Sequence, residues 1–105
     1  MAERSSPPVR VAIDGQAVDA EAAQVSVYDR GFLYGDSVFE TTRTYGGAPF
    51  MLAEHLTRLR WSADRLGFEL PLTTGDLVGE VARLAELARP RIAGELTLRL
   101  MVTRG

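Results

Sequence analysis

The sequence contains no lysine, and all twelve of its basic residues are arginine. It therefore offers no side-chain primary amine for covalent catalysis. Cysteine is also absent, which excludes disulfides, thiolate metal sites and cysteine nucleophiles. The single histidine, His55, cannot build a histidine-cluster metal site. We therefore predict no metal site in this chain.

Charge and hydropathy give no indication of a nucleic-acid or membrane partner. The net charge is −2, and the arginines are interleaved with acidic residues, as on solvated helix faces. No apolar run approaches the roughly 20 residues needed to span a bilayer. The first eight residues are polar, unlike a secretory signal. We expect a cytoplasmic protein.

Length and periodicity predict one domain over residues 9–105, preceded by a flexible leader at residues 1–8. Two pairs of strands are indicated, because the turn sequences Asp14-Gly15 and Gly46-Gly47 each separate alternating segments. The predicted strands are residues 9–13 with 16–18, and 38–45 with 48–52. Residues 19–24 are expected to form a linker, and residues 29–36 a structured loop.

The second half of the sequence predicts two helices and a long strand. Apolar residues recur at helical spacing from about residue 53 to a stop at Gly67. Thr73 and Asp76 resemble a capping arrangement for a second helix, which ends at Pro90. Residues 95–103 alternate, with leucines on one face. The predicted fold class is α+β: an antiparallel sheet built from hairpins, with two helices packed on one face.

One motif covers much of the chain. It runs Asp29-Arg30-Gly31-x-x-Tyr34-Gly35-Asp36-x-Val38-Phe39-Glu40 and continues with Glu54-His55-Leu56-x-Arg58-Leu59. This pattern resembles the N-terminal domain of the class IV (fold type IV) pyridoxal-phosphate aminotransferases. That group includes branched-chain and D-amino-acid aminotransferases and 4-amino-4-deoxychorismate lyase. The resemblance extends from Val9 to the terminal Thr-Arg-Gly.

The resemblance implies pyridoxal 5'-phosphate as the cofactor, an amino acid and a 2-oxo acid as substrates, and a homodimer. In that family the lysine that carries the cofactor lies in a second domain, which is absent from this sequence. We therefore expect the chain to be about the first third of an enzyme, inactive alone and without a catalytic residue of its own.

Arg58 is the first candidate for binding the cofactor. It borders the apolar face of the first predicted helix, where an ordinary arginine covers the core with its stem. The motif match instead places it on the family arginine that binds the cofactor phosphate, a role that suits a guanidinium fork.

Four residues are candidates for binding substrate. Arg99 lies in the middle of the last strand, opposite the leucines, and is either part of a polar strand face or, by resemblance, a pocket arginine of the branched-chain enzymes. Those enzymes carry a tyrosine two positions earlier, where this chain has Thr97. Phe39 and Thr41 would line the pocket by resemblance, and Tyr34 would reach into the neighbouring subunit's pocket. Without the resemblance, Phe39 and Tyr34 read equally well as core aromatics.

Two other pairs of residues give weaker indications of catalysis. His55 follows Glu54, but adjacent helix residues do not face each other, so a locally hydrogen-bonded histidine is expected. Asp36 and Glu40 resemble a pair of catalytic carboxylates, although nothing else supports glycoside hydrolysis.

Three functions stay open at this point. The first is transfer of an amino group between an α-amino acid, branched-chain-like or D-configured, and a 2-oxo acid. The second is a 4-amino-4-deoxychorismate lyase. The third is a stand-alone, non-catalytic dimerisation or binding module. A large uncovered apolar face would favour a fragment, and a compact covered sheet would favour a module.

Overall fold

A computed structural model describes residues 9–105, so the predicted leader lies outside the described residues. Within residues 9–105 the chain forms five strands, three α-helices and one short 3-10 helix. In chain order these are β1 (Val11–Ile13), β2 (Gln16–Val18), a 3-10 helix (Ala20–Ala22), α1 (Arg30–Tyr34), β3 (Ser37–Tyr45), β4 (Ala48–Pro49), α2 (Leu52–Leu66), α3 (Thr74–Ala88) and β5 (Thr97–Thr103).

The first predicted hairpin is confirmed. β1 and β2 pair in an antiparallel register that joins Val11 to Val18 and Ile13 to Gln16. Asp14 and Gly15 both have positive φ, at 50° and 80°, as a two-residue hairpin turn requires. This pair forms a sheet of its own, separate from the other three strands.

The main sheet has the order β4-β3-β5, with β3 in the centre and both neighbours antiparallel to it. Its return strand is shorter than the predicted segment 48–52, because β4 ends at Pro49. Met51 adopts a left-handed conformation with φ of 52° and directs the chain into α2. The last strand follows the predicted alternation, with Val102 paired to Val38 and Leu98 paired to Thr42.

The C-terminus of α2 and the N-terminus of α3 form as their sequences indicate. α2 stops at Gly67, whose left-handed backbone (φ 80°) lets its N–H bond back to the last turn. α3 begins with a complete capping box: the Thr73 hydroxyl accepts from the Asp76 backbone N–H, and the Asp76 carboxylate accepts from the Thr73 backbone N–H.

The segment from Asp29 to Asp36 contains the short helix α1 (Arg30–Tyr34), so the prediction of a structured loop without a helix is wrong for those five residues. Asp29 caps α1 by accepting from the Gly31 backbone N–H at 2.8 Å. Gly35 ends the helix in the left-handed conformation, with φ of 68°. The cap and the terminal glycine therefore delimit a single helical turn.

The helices cover one face of the main sheet and leave the other open. Leu59 and Ala63 of α2 pack with Val38, and Ala85 and Ala88 of α3 pack with Leu96 next to β5. The molecule is only 18 Å thick, against 39 and 38 Å in the other two directions, as two layers require. The predicted α+β class with helices on one face is confirmed. None of the helices among residues 9–105 has the length and apolar character for a membrane span.

Candidate functional site

The candidate residues lie on two sides of the main sheet, because successive side chains of β3 point to opposite faces. Phe39 and Thr41 lie on the open face, where Phe39 is 53% exposed. Glu40 lies between them on the helix-covered face and is 6% exposed. Two distinct regions follow: an open sheet face, and a polar cluster between β3 and α2.

The open sheet face brings together three of the four predicted substrate residues. Thr41 pairs directly with Arg99, and Phe39 is the next residue of β3 on the same face. The guanidinium carbon of Arg99 lies 4.4 Å from the centroid of the Phe39 ring, a cation–π contact. On such a surface the Arg99 guanidinium can bind a carboxylate, and the Phe39 ring can contact an apolar group of the same ligand.

A second guanidinium, that of Arg43, shares this face and was not predicted as a site residue from the sequence. Arg43 pairs with Thr97 across the sheet and lies 5.4 Å from the centroid of the Tyr45 ring. The signal was present in the alternation of β3, which puts Arg43 on the same side as Phe39 and Thr41.

Tyr34, the fourth predicted substrate residue, lies in α1 rather than in the sheet and is 77% exposed. α1 is fixed to the end of β5 by long-range contacts. The Arg30 Nε donates to the Gly105 carbonyl at 2.6 Å, and the Thr103 hydroxyl donates to the Asp29 carboxylate at 2.9 Å. Tyr34 is thereby presented on the surface beside the beginning of β3.

The predicted cofactor residue, Arg58, lies on the opposite side of the sheet from this open face. Its Nε donates to Glu40 at 2.9 Å, and its Nη2 donates to Glu40 at 2.7 Å. The same carboxylate lies 2.7 Å from Nδ1 of His55. Glu40, His55 and Arg58 form a group that we call the β3–α2 cluster.

Two members of this cluster, Glu40 and His55, were not predicted as site residues from the sequence. His55 bonds to a strand residue 15 positions away, so the expected local hydrogen bond is not its principal contact. Asp36 pairs with Arg104 instead of with Glu40, so the two carboxylates serve separate ion pairs. The usable signal was the inward position of Glu40 on β3, since a buried carboxylate needs a cation beside it.

Glu40 and Arg58 form an ion pair at neutral pH. The hydrogen bonds from Arg58 hold the pKa of Glu40 below its ordinary value, burial opposes that shift, and the contact with His55 assists it. The hydrogen bonds to Glu40 raise the pKa of Arg58 in turn. A carboxylate cannot donate, so the 2.7 Å contact requires His55 to carry a proton on Nδ1.

The exposed side of Arg58 fits a phosphate group. The Arg58 side chain is 63% exposed although Glu40 is buried. Among residues 9–105 no hydrogen bond is formed by its Nη1, which leaves two N–H donors. It borders a shallow depression lined by Ala53, Glu54, Thr57, Arg58 and Trp61. A metal ion has no comparable site, since no group of three or more possible ligands occurs in the described part of the chain.

Comparison with known proteins agrees with the fold and the motif. A family model described as amino-transferase class IV matches residues 37–105. A Methanocaldococcus jannaschii protein, provisionally named a branched-chain-amino-acid aminotransferase, is 42% identical over 97 residues, which are 92% of this chain and 33% of that protein. The D-alanine aminotransferase of Bacillus licheniformis is 34% identical over the same shares of the two chains.

A solved structure shows the same fold. The branched-chain aminotransferase from Thermoproteus uzoniensis with norvaline superposes with a TM-score of 0.78 at 31% identity, covering 89% of this chain and 32% of that one. The chain thus spans about a third of the length of the relatives it matches. The family match over residues 37–105, together with these likenesses, shows that the chain belongs to the class IV aminotransferase family.

Proposed function

We propose that this chain provides the phosphate-binding arginine and one wall of the substrate pocket in a pyridoxal-phosphate aminotransferase. The reaction transfers an amino group between an α-amino acid, branched-chain-like or D-configured, and a 2-oxo acid. The observation that carries the proposal is the open sheet face, where the Arg99 guanidinium lies 4.4 Å from the Phe39 ring beside Thr41.

Each residue has a defined task in this proposal. Arg58 binds the cofactor phosphate through its exposed donors. Arg99 binds the substrate carboxylate, while Phe39 and Thr41 contact the rest of the substrate and exclude water. When bound, pyridoxal phosphate supplies an electron sink for chemistry at the α-carbon of the amino acid.

The lysine that carries the cofactor must come from outside these 105 residues, because the sequence contains none. The uncovered sheet face supports this, since a pocket wall needs a facing surface to enclose a small substrate. We also propose a homodimer in which Tyr34 contacts the partner subunit. Its exposure of 77%, next to Phe32 at 66%, supports that contact.

A lyase that releases pyruvate is the second candidate. Asp29-Arg30-Gly31 and Phe39-Glu40-Thr41 favour the lyase and D-amino-acid enzymes alike. Thr97 counts against the branched-chain enzymes, whose pattern has a tyrosine at that position, two residues before Arg99.

The test is an assay of the protein purified from its native gene. Its intact mass is measured first, and the protein is then supplied with pyridoxal phosphate, 2-oxoglutarate and either L-leucine or D-alanine. Formation of glutamate supports the transaminase. Release of pyruvate from 4-amino-4-deoxychorismate, without glutamate formation, identifies the lyase. If the purified protein has a mass of about 11.5 kDa, that of this chain, and catalyses neither reaction, both proposals are contradicted and a binding module is favoured.

The role of Arg99 is tested in the same assay. We expect Arg99→Gln to raise the KM for the 2-oxo acid by about tenfold or more, because a charged hydrogen bond to the carboxylate is lost. Arg65→Gln is the matched control, since Arg65 contacts the Trp61 ring on α2 and lies away from the open face. Equal KM values for the two variants would refute the assignment of Arg99.

A further inference from the structure

The buried carboxylate of Glu40 binds one particular edge of the Arg58 guanidinium. Its oxygens accept from Nε at 2.9 and 3.1 Å and from Nη2 at 2.7 Å. These two nitrogens form the side edge of the planar group, the one nearest the aliphatic stem. The end edge, formed by Nη1 and the second N–H of Nη2, faces away from Glu40. A guanidinium bound along one edge keeps its other edge in a fixed orientation.

His55 completes the support on the other side of the same carboxylate. Its Nδ1 donates to Oε1 of Glu40 at 2.7 Å, and its side chain is only 18% exposed. Because that nitrogen carries the proton, the 3.5 Å approach of Arg58 Nη2 to it joins two donors and is not a hydrogen bond. Oε1 therefore has partners on two sides, which together with burial restricts rotation of the Glu40 carboxylate.

We propose that Glu40 and His55 are positioning residues for phosphate recognition: they bind the side edge of Arg58 so that its end edge is presented to the cofactor phosphate. This inference rests on the proposed function, in which Arg58 binds that phosphate. An unsupported arginine on a helix surface samples many rotamers, and ordering it on binding has a cost in side-chain entropy. The β3–α2 cluster removes most of that cost before the phosphate arrives.

A simpler role for Glu40 predicts the opposite result. If Glu40 only neutralises Arg58, its negative charge opposes a phosphate dianion, and its removal should tighten phosphate binding. If Glu40 positions Arg58, its removal should weaken phosphate binding despite the more favourable charge. The sign of the change in affinity therefore separates the two roles.

The experiment is a titration of the protein expressed from its native gene, with any bound cofactor removed, against pyridoxine 5'-phosphate, followed by the NMR signal of the Arg58 Nε–H. This probe has the phosphate but no aldehyde, so it binds without covalent attachment. Pyridoxine without the phosphate is the ligand control. We expect Glu40→Gln to weaken binding by about tenfold and His55→Ala to weaken it less. Arg83→Gln is the control and should leave binding unchanged, because Arg83 lies on α3 and bonds to Glu80 and to the Gly15 carbonyl. The free Glu40→Gln chain should also show faster motion and faster proton exchange at Arg58 Nε.

The outcomes distinguish a failure of the positioning role of Glu40 and His55 from a failure of the phosphate-binding role of Arg58. If the wild-type protein binds and the Glu40→Gln variant binds equally or more tightly, the positioning role is overturned and Arg58 is still a phosphate ligand. Phosphate-independent binding, or no binding by the wild-type chain, overturns the assignment of Arg58 and the positioning role with it. Should Glu40→Gln fail to fold, Glu40→Asp keeps the charge but withdraws the carboxylate. Positioning then predicts weaker binding, and unchanged binding overturns it.

Discussion

Replacing Gly31 by alanine tests the close contact between α1 and the end of β5. A Cβ atom placed on Gly31 would lie 2.8 Å from Thr103 Cβ, closer still to Thr103 Cγ2, and 2.9 Å from the Asp29 carboxylate. Carbon atoms normally approach to about 3.5 Å, so the helix or the strand must move. We expect Gly31→Ala to lower the free energy of unfolding by about 1–3 kcal/mol, the usual cost of overpacking.

The measurement is urea denaturation of the full chain, followed by circular dichroism. Gly79→Ala is the matched control, because Gly79 lies inside α3 and an added Cβ meets nothing within 4 Å. That variant should gain about 0.5–1 kcal/mol, since alanine restricts the unfolded chain and favours helix. A third variant, Thr103→Ser, removes the methyl group nearest to the added Cβ but keeps the hydroxyl that donates to Asp29.

The steric explanation requires the cost of Gly31→Ala to fall in the Thr103→Ser background. Equal costs in both backgrounds would show that the destabilisation has another origin. A gain in stability at Gly31 similar to that at Gly79 would show that α1 and β5 are not in contact in solution.

Three further results are expected. Leu59→Ala should cost about 2–5 kcal/mol in urea denaturation, because Leu59 is fully buried, whereas Leu66→Ala should cost about 1 kcal/mol or less at 45% exposure. Thr73→Ala should cost about 1 kcal/mol and speed amide exchange in the first turn of α3, because the hydroxyl that accepts from Asp76 N–H is lost. Since the pKa of Glu40 is lowered from its ordinary 4.5, its ionised form stabilises the fold above that value, and this contribution is lost as the pH falls through the lowered pKa. The wild type should therefore lose more unfolding free energy between about pH 7 and pH 3 than Glu40→Gln, and equal losses would contradict the ion pair.

Local signals account for the elements that the sequence predicted. The Asp14-Gly15 turn, the Thr73–Asp76 capping box and the Gly67 terminus are each specified by residues within a few positions of one another. Strand alternation also predicts that Phe39 and Thr41 share a face and that Arg99 lies opposite the leucines of its strand, because parity along a strand fixes the face.

Long-range partners account for what the sequence did not predict. α1 is stabilised in part by contacts with β5, such as the bond from Thr103 to Asp29 across 74 residues. The pairing of Glu40 with Arg58 and His55 depends on how α2 crosses β3, which residue spacing alone does not give. The binding roles of Arg58, Arg99, Phe39, Thr41 and Tyr34 are still predictions, since they concern ligands.

Along β3, the positions that stabilise the fold alternate with positions that are free to change. Residues 38, 40, 42 and 44 are buried under the helices, whereas residues 39, 41, 43 and 45 are exposed. Odd-numbered positions can therefore change size, charge or polarity with little effect on folding, as surface substitutions usually do. A library randomised at those four positions should consist mainly of folded proteins, and under the proposed function its members should differ in ligand preference. Such a strand allows specificity to diverge among relatives while the fold is retained.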